Sequence, residues 1–189
     1  DLFQLHGGTI DDPMDETIEA FEELKKEGWI REYGISSIRP NVIREYVRRS
    51  NIVSVMMQYS ILDRRPEEEI LALLREHEIS VIARGPVAKG MLSDHAASKT
   101  PDDGFLDYSK DEVLDVAEQV QHMADDDRSA SQIALRYALS HPSVATVIPG
   151  ASKTEQLVEN IAAANVRLTD DEIAALRRHS KANIYDKHR

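Results

Sequence analysis

The chain has 189 residues, with 34 acidic against 23 basic side chains, a net charge of −11 and no cysteine. That length supports one globular domain with a real core, residues 1–189, and the acidic balance excludes a binder of nucleic-acid phosphates or of an anionic membrane surface. The absence of thiols removes disulfides and thiolate metal ligands and fits a reducing cytoplasm, and no run of about 18 apolar residues offers a bilayer span.

Apolar runs of strand length alternate with longer helical patterns, the signature of βα units and a parallel sheet. LFQLH (Leu2 to His6) reads as a first strand whose apolar residues look fully packed. A helix from about Asp15 to Gly28 follows, with Ile18, Phe21 and Leu24 on one face and Gly28 as its stop. REYGIS is the second strand, Pro40 to Ser50 a helix with Pro in its first turn, and VSVMMQYS the third strand. PEEEILALLREHE predicts one helix with Glu residues in its electropositive first turn, and ISVIARGPV a fourth strand. Ala88 to Lys110 is long, polar and rich in turn residues, and reads as a functional or flexible loop. Helices at about Asp111 to Asp125 and Ser131 to Ser140 precede the fifth strand, VATVIPG. A helix from Thr154 to about Asn165 and a last one from Thr169 to about His179, opened by the capping-box pattern TDDE, complete the series.

Five βα units belong either to a closed parallel barrel or to an open doubly wound sheet, and in both folds chemistry gathers at the carboxyl ends of the strands. HGG, SSIRP, QYS, RGP and PGAS stand at those ends, and all are polar or Gly-rich. His6 reads either as a loop histidine bonded to neighbouring backbone or as a proton donor or polariser of a carbonyl. Ser36 and Ser37 either cap the next helix or hold an amide; Gln58 offers a bidentate amide; Tyr59 is either a core ring or a flat platform. VIPGASKTEQLVEN sets free N–H groups, a hydroxyl and an ammonium at a helix start, a combination suited to a phosphate. It is neither a G-x-G-x-x-G fingerprint nor a P-loop, and no His or carboxylate pair has metal-ligand spacing.

Taken in order, DLFQLH, EELKKEGWIREYGISS, MMQYSIL, VIARGPVAKGML, ASQIALRYALSHPSVATVIPGASKTEQLVENIAAA and LTDDEIAAL resemble the aldo-keto reductase family over most of the chain. The resemblance implies an α/β fold, a parallel (β/α)8 barrel of which only about the last five βα units are present, and hydride transfer from NADPH to an aldehyde or ketone without metal or flavin. By the same resemblance His6 is the catalytic histidine, and Ser36, Ser37 and Gln58 hold the nicotinamide carboxamide, with Ser37 standing where the family commonly has Asn. Gly85, Pro86 and Lys89 line the pyrophosphate, while Gly150, Ser152, Lys153, Gln156, Glu159 and Asn160 grip the 2′-phosphate and adenine, which favours NADP(H).

Two departures stand out. Arg84-Gly85-Pro86 occupies the place of the family's Tyr-Ser-Pro, so the usual nicotinamide-stacking aromatic is missing. Of the family's Asp, Tyr, Lys and His tetrad only His6 is present, because the other three come from earlier strands. The expectation is therefore a chain inactive by itself, completed by an N-terminal barrel half lost upstream or supplied by another chain, since five strands leave two open sheet edges. A non-catalytic NADP(H)-binding or regulatory relative, or an inactive fragment, is the alternative. No code for the physiological substrate or the oligomeric state is legible in the sequence.

Overall fold

The computed structural model describes residues 1–189. Its strands are β1 (Leu2–His6), β2 (Glu32–Ser36), β3 (Ser54–Gln58), β4 (Ser80–Arg84) and β5 (Val144–Ile148), which form one parallel sheet in sequence order. That order lacks the reversal at a switch point that marks a doubly wound sheet. The helices are α1 (Met14–Lys26), α2 (Pro40–Arg49), α3 (Ile70–Glu76), α4 (Ala96–Lys99), α5 (Lys110–His122), α6 (Ala130–Leu139), α7 (Thr154–Ala162) and α8 (Asp170–His179). None is long and apolar enough to cross a membrane.

The two faces of the sheet differ. Tyr33, Ile35, Val55, Met57, Val81 and Ala83 alternate along β2 to β4, are buried, and belong to the core shared with the helices. The opposite face carries Gln4, His6, Ser36, Met56, Gln58, Ile82 and Arg84, all partly or fully open. Close packing of β2 on β3 depends on Gly34, where an added Cβ would lie 2.4 Å from the Ser54 hydroxyl and 2.5 Å from its carbonyl oxygen.

LFQLH is one of the two open edges expected of five strands: Leu2 is 41% and Phe3 54% exposed, because β1 pairs only with β2. Several expectations need correction. The predicted helix over PEEEILALLREHE breaks into a 3-10 turn, Arg65–Glu67, and an α-helix that starts only at Ile70. The cause is Glu67, whose carboxylate faces inward and accepts from Tyr59 Oη (2.8 Å), Tyr137 Oη (2.8 Å) and Arg64 Nη2 (2.8 Å). The stretch 88–110 carries a 3-10 turn at Ala88–Gly90, α4, and a bridge between Phe105 and Tyr108, with Tyr108 buried.

Helix ends follow local chemistry. α1 stops in a Schellman arrangement in which Trp29 N–H donates to Leu24 O (3.0 Å) and Gly28 takes φ +79°, accessible to glycine without a Cβ penalty. Thr169 and Glu172 form the predicted capping box on α8, and Ser109–Glu112 and Ser129–Gln132 form two more on α5 and α6.

Beyond α8 the chain crosses back towards the strand ends and is tied down on its way. Arg64 Nη1 donates to Arg177 O (2.9 Å) and Ser180 O (3.2 Å). Buried Asn183 accepts from Arg64 N (2.8 Å) and donates to Leu62 O (3.2 Å) and to Asp107 Oδ1 (3.1 Å). Asn41 N–H then takes His188 O at 2.8 Å.

Candidate active site

At the carboxyl ends of β1 to β4 lies a cavity of about 840 Å³, within the size range of small-molecule sites. His6, Ser36 and Ser37 line it, and the strand register explains why. His6 pairs with Ser36 and Ser36 with Met56, so three neighbouring strands present side chains of one face at one level.

Gln58 stands one step nearer the strand end, paired in register with Arg84, and its Oε1 accepts from Arg84 Nη1 at 2.8 Å. That bond fixes the amide: the oxygen is used, and the NH₂ group is left to donate. Ser37 is buried and its Oγ accepts from Arg39 N–H (3.1 Å), a local turn bond ahead of α2 that does not cap the helix, while its own hydroxyl proton stays available. Tyr59 is 1% exposed and bonded to Glu67, so it is a core ring and no platform.

A second cavity of about 620 Å³ begins at Gly85 and Pro86 and is walled by Lys89, Gly150, Ser152, Gln156, Glu159 and Asn160. Eight of the thirteen proposed site residues therefore meet here, against three in the first cavity. Ser152 N–H and Oγ both bond Gln156 Oε1 (2.8 and 3.1 Å), and Asn160 Nδ2 reaches Gly150 O at 3.4 Å, so the turn and the first turns of α7 form one unit. Glu159, half-buried, accepts from Ser129 Oγ (2.5 Å). The remaining two, Gln58 and Lys153, are in neither wall: Gln58 is bonded to Arg84, and Lys153 is the exposed N-cap residue of α7, whereas Lys99 from α4 lies in the wall of the second cavity.

The sequence reading misses much of the first cavity: Arg39, Arg65, and the tail residues Tyr185, Asp186, Lys187 and His188. Tyr185 Oη is buried without a hydrogen-bond partner, and burial pushes its pKa up, with the nearby Asp63 adding to the shift. Arg65 lies 4.8 Å over the Tyr185 ring and is held by Asp63 through two bonds of 2.7 Å.

The Aldo/keto reductase family model matches residues 1–181, and the chain belongs to that family. It is 59% identical over its full length to the uncharacterized oxidoreductase YqkF of Bacillus subtilis, covering 63% of that protein. It is 30% identical to the NADH-specific methylglyoxal reductase of Escherichia coli, with 96% of this chain and 59% of that protein aligned. Among solved structures, the holo form of aldo-keto reductase AKR11C1 from Bacillus halodurans superposes with a TM-score of 0.89 at 54% identity, covering all of this chain and 61% of that one. The chain thus spans about three fifths of the length of these relatives.

Proposed function

We propose that the protein is an NADP(H)-dependent aldo-keto reductase acting on an aldehyde or ketone in the cytoplasm, and that this chain forms its cofactor-gripping side. One observation carries the reading: Arg84 and Gly85, adjacent in sequence, line two different cavities along one row of strand ends. An elongated dinucleotide laid across that seam meets His6, Ser36 and Gln58 at one end and Gly150, Ser152 and Gln156 at the other. The donor set suits it. The Gln58 amide and the Ser36 and Ser37 hydroxyls offer donors for a carboxamide, and Lys89, Lys99 and Ser152 offer cations and a hydroxyl for phosphates.

When bound, NADPH supplies a hydride at its nicotinamide ring. His6, exposed at the end of β1, orients and polarises the carbonyl. The proton that completes reduction needs another donor. Tyr185 is the one tyrosine lining the cavity of His6, but its sealed hydroxyl and raised pKa make it a poor acid. The reading therefore includes further βα units, in the same or another chain, that close the sheet edges and bring the acid.

A non-catalytic nucleotide-binding relative is the second reading, favoured by Arg84 in the place of the stacking aromatic. Titration with NADPH and NADH, followed by calorimetry, tests the shared part: NADPH binding below about 1 mM, the upper end of ordinary Michaelis constants, is expected, with NADH weaker. No binding of either overturns the cofactor assignment; binding without turnover by the barrel-completed protein favours the second reading.

A further inference from the structure

The cavity beside His6 gathers charge against the trend of the chain. The protein has 34 acidic and 23 basic side chains, yet Arg39, Arg65, Arg84 and Lys187 line this cavity against Asp186 alone. Arg39, Arg84 and Lys187 have no carboxylate oxygen within the 4.0 Å that defines an ion pair. Two of them are nevertheless held in place by neutral acceptors, Arg39 by Gly8 O (2.5 Å) and Arg84 by Gln58 Oε1 (2.8 Å). Arg65 is clamped from one side, by Asp63 and by the Tyr185 ring, which leaves its Nη1 without a partner.

Positioned cations that are not neutralised repel one another, and their charge is only partly screened where they are half-buried. The grouping becomes favourable when an anion sits among them, and because the guanidinium groups are already tethered, little ordering cost remains to be met on binding. Planar forks of this kind match an oxyanion by paired N–H donors.

We infer that this cavity takes a carbonyl substrate bearing a carboxylate or phosphate, recognised by Arg39, Arg65 and Lys187 on the side towards the tail. The inference rests on the carbonyl-reductase reading for its reaction, and the oxyanion has a second conceivable source, the phosphates of the cofactor. The second cavity has its own cations, Lys89 and Lys99, for those phosphates, which leaves the tail-side group for the substrate.

Calorimetric titration with 4-formylbenzoate and with its neutral methyl ester, each without and with saturating NADPH, tests this. The carboxylate is expected to bind at least about tenfold more tightly than the ester, with NADPH present or absent. Lys187→Gln, an exposed site without partners, is expected to cut carboxylate affinity about threefold and leave ester affinity unchanged, and Arg39→Gln with Lys187→Gln to erase the preference. Equal affinity for the two ligands, binding of neither, or competitive displacement of the carboxylate by NADPH overturns the inference, the last assigning the cations to the cofactor. Failure of NADPH to bind while the carboxylate preference persists removes the cofactor reading and leaves this one standing.

Discussion

Arg84 donates from Nη1 to Gln58 Oε1 at 2.8 Å, across a β3–β4 register in which the two residues face each other directly. The residue that departs from the family pattern thus sets the orientation of one that keeps it. Gln58→Glu preserves the acceptor for Arg84 and removes the NH₂ donor. The expected result is NADPH affinity reduced about tenfold, measured by calorimetry, with an unchanged melting temperature. An unchanged dissociation constant would take Gln58 out of the cofactor site.

Gly34→Ala is expected to destabilise the protein by about 2 kcal/mol and lower Tm by about 4–8 °C, because the new methyl meets both the hydroxyl and the carbonyl of Ser54. Adding Ser54→Ala removes only the hydroxyl clash. Full recovery of Tm in that double variant would show that the backbone contact is not limiting.

Glu67 carries the pH dependence of the region around the tail. Burial opposes its charge, but hydrogen bonds from Arg64, Tyr59 and Tyr137 outweigh that and hold its pKa below the ordinary 4.5. A carboxylate with a depressed folded pKa stabilises the fold fully above its unfolded value and loses that contribution as pH falls through the folded one. Glu67→Gln should therefore cost about 2 kcal/mol at pH 7, with the gap to the parent protein closing as pH drops below about 4. Denaturant unfolding at several pH values reads this, and a gap independent of pH would contradict it.

Asn183 makes three hydrogen bonds that hold the tail against Leu62, Arg64 and Asp107. Asn183→Ala should free the residues beyond it and accelerate tryptic cleavage after Lys181, followed by mass spectrometry of the released peptide. An unchanged cleavage rate would mean that Asn41 and the Arg189–Glu68 pair suffice to hold the tail.

What the sequence revealed follows the range of the interactions. Strands, helices and the Thr169 capping box depend on neighbours a few residues away, and they are legible; the patterns SKDE and SASQ, which cap α5 and α6, carried the same signal and were available. The break in the helix after Pro66 was not legible, because Glu67 is drawn inward by Tyr137, 70 positions later. The same holds for Tyr185 and Lys187, which carry no motif and reach the cavity only through ties such as Arg64 to Asn183. Lys153 and Lys99 differ in the same way: a cation beside a helix start is legible in the sequence, whereas Lys99 reaches the wall of the second cavity from α4 without any motif.

β1 and β5 each have one neighbour, and both edge strands carry exposed apolar side chains: Leu2 and Phe3 on β1, Ile148 on β5. A segment that paired with both edges would bind the folded sheet and not the unfolded chain, and so would act thermodynamically as a ligand. Were such a segment added, the melting temperature would rise with its concentration, a readout of edge pairing that needs no reaction to be assayed.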